Sequence, residues 1–230
     1  MSSLYQIVSA AFCVIVVVSN IISAKMVTLT FFFGDSFNVP AGLITYPLTF
    51  LLSDLVTEVF GAKKAKLMVY IAFTMSLLSY AIIQAALFLP PHSGYNDAFG
   101  EILGTSTLRI FSSLTAYLVS QVVDIQVYAW IKSLTGVRLL WLRNNASTCI
   151  SQLVDTLLID LIFLYWGLGM AMGDVIPIIL FSFAYKACFS VANTPLFYLC
   201  LFLVKKWEAI NHSKASSICS TEESVIRSAG

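Results

Sequence analysis

Long apolar stretches alternate with short polar breaks along this chain. Six stretches, at about 4–27, 39–60, 67–89, 110–134, 146–168 and 175–204, each approach or exceed the roughly 20 apolar residues that span a bilayer. The breaks carry turn and charge signals: Gly34-Asp35-Ser36, Gly61 with Lys63, Lys64 and Lys66, Pro90-Pro91 with Gly94, Thr135-Gly136, and 167–174. The pattern predicts an all-α integral membrane protein with six transmembrane helices in one domain, residues 1–207. Residues 208–230 are polar and Ser-rich without apolar periodicity, which predicts a disordered tail. The second stretch is irregular. Pro40 and Pro47 interrupt it, and a proline removes a backbone donor and disfavours helix at the residue before it. A broken or re-entrant start is therefore predicted there, and a kink at Pro195 in the sixth stretch.

Composition agrees. Of 230 residues, 59% are hydrophobic and only 11% charged, with a mean hydropathy of +0.88. Soluble domains hold about 25% charged residues. Six spans leave no room for a second, soluble domain. A net charge of +1 gives no electrostatic case for a nucleic-acid partner. The five cysteines form no C-x-x-C pair, and His92 and His212 lie outside the apolar stretches, so zinc, haem or any other metal cofactor is not expected. No phosphate-binding G-x-x-x-x-G-K-[ST] loop is present, so an ATP-driven module is not encoded. The first stretch lacks a basic leader and reads as an uncleaved span.

Lys and Arg set the orientation. Lys63, Lys64 and Lys66 follow the second stretch; Lys132, Arg138 and Arg143 surround the fourth break; Lys205, Lys206 and Lys214 follow the sixth stretch. The third and fifth breaks carry Asp97, Glu101 and Asp174 instead. The alternation predicts both termini in the cytoplasm. The sequons at Asn145 and Asn211 then face the cytoplasm, and Trp130, Trp141, Trp166 and Trp207 read as interface anchors.

Against this apolar background, the intramembrane charges stand out. Asp54, Glu58, Asp124, Asp155, Asp160 and Lys186 lie inside spans. Each costs about 2.5–3.5 kcal/mol at mid-bilayer on insertion scales, so they must face the bundle interior and mark a functional site. Asp54 and Glu58 are one turn apart. Tyr117, Gln121, Asp124 and Tyr128 recur at helical spacing and form one stripe. Gln152 and Asp155 share a face, as do Lys186, Phe189 or Ser190, Asn193 and Phe197. Asn20 marks the first span. A short echo, Ser120-Gln-Val-Val-Asp124 and Ser151-Gln-Leu-Val-Asp155, places two acid–amide pairs at one depth on antiparallel helices. Carboxylates accept hydrogen bonds, amides donate and accept, and aromatic faces stack planar rings. The set suits a flat heterocycle rich in N–H donors, or a cation. Buried ion pairs that only organise the bundle are the structural alternative.

At Asn20-Ile-Ile-Ser-Ala-Lys25, Val39-Pro-Ala-Gly42, Tyr46-Pro-Leu-Thr-Phe50 and Ser53-Asp-Leu-Val-Thr-Glu58-Val-Phe-Gly61, the chain resembles the queuosine-precursor or vitamin-uptake transporter family. Trp141-Leu-Arg143, Ser147-Thr148, Ser151-Gln152, Val154-Asp155-Thr156 and Asn193-Thr194-Pro195 extend the match. The resemblance implies a non-enzymatic, multi-pass importer in the bacterial inner membrane. Its cargo would be a 7-deazaguanine (queuine, preQ1 or preQ0) used for queuosine in tRNA. It also implies likeness to the six-helix substrate-binding subunits of ECF vitamin transporters. Asn20, Asp54, Glu58, Arg143, Gln152, Asp155 and Asn193 carry over as substrate-binding candidates. Tyr117, Gln121, Asp124 and Lys186 join them on the face argument. The expected partners are this small molecule and the lipid bilayer, with a homo-oligomer left open. Two other readings are a binding subunit served by a separate ATP-driven module, and an intramembrane Mg²⁺ enzyme using Asp54-x-x-x-Glu58.

Overall fold

The structure is a computed structural model, describing residues 2–23, 25–30, 36–89, 100, 103, 107–136 and 139–228. Among the described residues, six α-helices organise it: α1 (Ser2–Ile22), α2 (Tyr46–Phe60), α3 (Ala62–Leu87), α4 (Thr107–Thr135), α5 (Leu140–Asp160) and α6 (Met172–Ser228). A π-helical turn, Leu161–Gly167, extends α5. Five segments are long and apolar enough to cross a membrane: Ser3–Ile22, Ala62–Leu87, Ile110–Thr135, Leu140–Gly167 and Met172–Val204. The described chain is thus an all-α integral membrane protein apart from one hairpin.

That hairpin corrects the sequence reading. The first apolar stretch is not helical to residue 27, and the second does not begin as a helix at 39. Strands β1 (Met26–Thr30) and β2 (Ser36–Pro40) pair antiparallel, with Val27 opposite Val39. Hydropathy cannot separate the two conformations here. Met26-Val-Thr-Leu-Thr continues the apolar stretch but is β-branched at three of its five positions, Val27, Thr28 and Thr30, which suits a strand. The break at Gly34-Asp35 lies outside the described residues, as does most of the third break. A 3₁₀ turn, Ala41–Ile44, then leads into α2. Gly42 sits so close to α1 that a Cβ there would collide with Ser23 Oγ and the Ser19 carbonyl oxygen. Ser19 bonds Thr45 across the same contact. The two prolines thus give the broken start the sequence predicts: α2 has 15 residues, about 22 Å at 1.5 Å per residue.

Helix directions follow from the contacts between them. Tyr5 Oη donates to the Lys64 carbonyl at 3.0 Å, and Asn20 Nδ2 donates to Ser76 Oγ at 3.4 Å. The earlier residue of α1 meets the earlier one of α3 and the later meets the later, so α1 and α3 run parallel. Gly61, at φ 86°, makes the sharp elbow between α2 and α3 with a backbone that glycine adopts freely. The α4 and α5 helices run antiparallel and form the most extensive helix pair. At the far end, α6 continues to Ser228, through the residues where the sequence predicts no order. No Gly or Pro occurs between Glu208 and Ser228 to stop it.

Polarity is inverted relative to a soluble bundle. The buried residues of α5 are Arg143, Asn144, Ser147, Thr148, Ser151, Gln152, Asp155 and Thr156, all polar. Trp141, Ile150 and Leu153 face outward. Lipid is as apolar as leucine, so burying apolar surface does not drive these helices together; packing and interhelical hydrogen bonds do. An apolar cluster of Phe12, Val16, Val56, Met68, Val69 and Ile125 fixes α1, α2, α3 and α4, leaving the polar face of α5 to α4 and α6.

Candidate functional site

The polar interior divides into three parts. At one end, Glu58 of α2 is gripped from both sides. Arg143 Nη2 lies 2.9 Å from its Oε1, and Lys132 Nζ lies 3.1 Å from its Oε2. Tyr128 Oη donates to Oε2 at 3.0 Å, and Lys132 also donates to the Glu58 carbonyl. Arg143 stacks over the Tyr128 ring at 5.7 Å and donates to the Gly136 carbonyl. That last bond is possible because the α4–α5 reversal is tight, with Gly136 and Leu139 both at positive φ. The clasp joins α2, α4 and α5 in one ion network.

One turn further along α2, Asp54 is 1% exposed, and neither carboxyl oxygen has a hydrogen-bond partner. Its electrostatic neighbours are the Asp124 carboxyl and the Thr148 hydroxyl. Asp124, fully buried, accepts from Ser151 Oγ at 3.0 Å through Oδ1, while Oδ2 is unpartnered. Gln121, on the same stripe of α4, is fully buried with both amide atoms unpartnered.

In the third part, Asp155 of α5 pairs with Lys186 of α6 at 2.8 Å. Lys186 also donates to Thr156 Oγ1 at 3.1 Å, and Ser120 Oγ reaches Asp155 Oδ1 at 3.4 Å. The echo noted in the sequence is thus cross-paired. The serine of each copy donates to the aspartate of the other, so the two acids are not at one level, as the sequence predicts, but about one helical turn apart along the seam, roughly 6 Å.

Beside this ion pair lies a small cavity of about 30 Å³ between α2, α5 and α6. Asn144, Thr148, Gln152, Lys186, Ser190 and Asn193 supply its polar lining. Phe50, Tyr185 and Phe197 supply aromatic surface, and Pro47 sits at its wall. Gln152 Oε1 and Ser190 Oγ are buried there without a partner. The lining therefore offers amide donors and acceptors, hydroxyls, one ammonium and ring faces, which can grip a planar polar molecule edge and face at once.

The sequence-predicted residues fall into five places. Gln152, Lys186 and Asn193 line the cavity, and Asp155 stands behind Lys186. Glu58 and Arg143 are engaged in the clasp. Asp54, Gln121 and Asp124 lie sealed behind Thr148 and Ser151. Tyr117 packs into the apolar cluster beside Phe12 and Val16. Asn20 lines a separate cleft of about 100 Å³ between α1, α3 and α4, with Ser76, Ser79 and Ser113. The sequence reading missed Asn144, Thr148 and Tyr185 as lining residues. Asn144, Thr148 and Gln152 recur every four residues, a polar stripe as regular as the one on α4. Among the described residues, no group of three or more His, Cys, Asp or Glu side chains is placed to hold a metal ion.

Comparison with known proteins adds three findings. Residues 40–200 match the model of a family described as "Putative vitamin uptake transporter". A "Probable queuosine precursor transporter" of Bacillus subtilis (strain 168) is 30% identical over 68% of this chain and 69% of its own length. The "Queuosine precursor transporter" of Escherichia coli (strain K12) is 26% identical over 53% of each chain, and a "Probable queuosine precursor transporter" of Haemophilus influenzae is 24% identical over 60% of this chain and 57% of its own. No solved structure matches the chain.

Proposed function

Because the chain belongs to the vitamin uptake transporter family, we propose that it imports a 7-deazaguanine precursor of queuosine, namely queuine, preQ1 or preQ0. It is a transporter of queuosine precursors and not an enzyme, in keeping with its named relatives. The observation that carries the cargo assignment is the lining of the cavity between α2, α5 and α6. The unpartnered Gln152 Oε1 accepts from the N–H edge of the base. Asn193 and Lys186 donate to its carbonyl edge, and Phe50 or Phe197 covers a ring face. This refines the sequence expectation: with Asp155 held by Lys186, an amide rather than a carboxylate meets the base.

Six membrane crossings with both termini in the cytoplasm make up the working topology. The parallel α1 and α3 support it, since the chain must return across the membrane between Ile22 and Ala62. The hairpin, the 3₁₀ turn and α2 make that return. Irregular backbone of this kind survives in a membrane where protein covers it. The basic residues Lys63, Lys64 and Lys66 then sit on the cytoplasmic side of the inner membrane. Transport proceeds by alternating access, as α2 and α6 rearrange around the cavity.

The test is rescue of queuosine in tRNA. The chain is expressed alone in a bacterium that can neither make nor import precursors but holds the enzymes to use each one. Queuine, preQ1 and preQ0 are supplied separately, and modified tRNA is scored by its mobility on a boronate gel. Rescue by one of them, reduced about tenfold or more by Gln152→Ala, is expected, since the lost hydrogen bond contributes about 1.5 kcal/mol. Failure of all three, with the protein present in the membrane, points to a partner-dependent subunit or a different cargo.

A further inference from the structure

Matching each intramembrane acid to a cation leaves a remainder. Glu58 has Arg143 and Lys132; Asp155 has Lys186. Asp54 and Asp124 have each other. From α2, Glu58 also acts on Asp54, and Tyr128 of α4 senses both of these acids. From α5, the hydroxyls of Ser147, Thr148 and Ser151 face the pair, and Arg143 beyond them is spent on Glu58. Among the described residues, no charged group of α1, α3 or α6 acts on either carboxyl. Two carboxylates brought together without a cation cannot both stay ionised in so dry a place.

We propose that Asp54 and Asp124 form a proton-binding site, and that one proton bound there accompanies the cargo through each transport cycle. The inference rests on the transport reading above and says what drives it. Three observations carry it. Asp54 is 1% exposed and Asp124 fully buried, and neither lines either of the two cavities. A proton needs no volume, whereas a metal ion needs a shell of oxygen ligands. Gln121 lies one turn from Asp124 on the same stripe, fully buried with its whole amide unpartnered. It is a donor and acceptor held beside the pair without a fixed partner, ready to follow whichever charge state is present. Finally, the pair is linked to the cargo cavity. Thr148 lines that cavity and is also a polar neighbour of Asp54, while Ser151, which bonds Asp124, lies next to the cavity residue Gln152. A base seated against Thr148 and Gln152 therefore touches the wall behind which the proton sits. The proton binds one carboxylate from the outer side, crosses with the pair buried, and is released as a proton on the inner side, with no covalent change.

The experiment uses the purified full chain in sealed liposomes with an entrapped pH dye. Exchange of labelled for unlabelled queuine, preQ1 and preQ0 is measured first, without any gradient. The compound that exchanges is then offered under an inward proton gradient, an inward Na⁺ gradient, or none. The expected result is accumulation only with the proton gradient, up to about tenfold for one pH unit at one proton per base, with acidification of the interior on uptake. Asp54→Asn and Asp124→Asn, separately and together, abolish that acidification. Net uptake without acidification, or accumulation driven by Na⁺ alone, overturns the proton site and leaves the transport reading standing. Acidification that persists in the doubly substituted protein also overturns it. If none of the three compounds exchanges, the transport reading fails and the proton site with it.

Discussion

Glu58 and Asp54 stand one helical turn apart on the same face of α2, and their surroundings differ completely. Glu58 meets an arginine, a lysine and a tyrosine hydroxyl. Asp54 meets another acid and the Thr148 hydroxyl. An acid inside a membrane is expensive wherever it sits, yet only one of these two has been given what would offset its cost. The satisfied one reads as a fastener between α2, α4 and α5. The other lacks any such role in holding the bundle together, and that lack is itself the argument for function. Sequence alone ranks them equally; the difference is made entirely by what α4 and α5 bring to each.

The largest way to break this comparison is to remove the fastener. Arg143→Met leaves Glu58 with Lys132 and the Tyr128 hydroxyl, and should cost about 3 kcal/mol, the low end for breaking a buried pair. Thermal unfolding in detergent reads the loss, and adding Glu58→Gln should restore part of it. An unchanged melting temperature for Arg143→Met would mean the clasp holds nothing. A smaller effect is expected at the second pair. Lys186→Met should cost on the order of 2 kcal/mol, because Ser120 still donates to the stranded Asp155. Lys186→Met combined with Asp155→Asn should be less damaged than Lys186→Met alone. A double variant no better than the single one would show that the two charges are not coupled. The smallest effect on stability sharpens the contrast. Asp54→Asn should change unfolding by less than about 1 kcal/mol, and upward, since the new amide can donate to Asp124. A loss as large as that of Arg143→Met would place Asp54 among the fasteners after all.

Much of this was legible in the residues. The long stretches appear as helices because lipid demands them, and Pro40 and Pro47 announced the broken start of α2. The hairpin was hidden because Met26-Val-Thr-Leu-Thr satisfies a hydropathy count whether it coils or pleats. Periodicity put Asp54 with Glu58 and Gln121 with Asp124. It could not say which faces meet, so Tyr117, a member of the same stripe, turned out to pack against Phe12 in the apolar cluster. Asn20 was a sound guess for an interior residue, but it faces the cleft beside Ser76, away from the cavity. The echo at 120–124 and 151–155 predicts two acids at one depth, but the register sets them about one turn apart along the seam. Which serine serves which acid depended on the register of α4 against α5, and only three dimensions supply that.

That register has a mechanical consequence. Ser120 serves Asp155 while Ser151 serves Asp124. If α4 slid past α5 along the bundle axis, both bonds would lengthen together, since the two rungs cross the same seam. Any motion that keeps them must carry α4 and α5 as one plank. The parts left to swing are the ones that grip this plank from its edges: α2 through Glu58, and α6 through Lys186. Each holds on by an ion pair, the kind of joint that can be undone and remade at the same spot, so the immobile half of the molecule is the half written twice in the sequence.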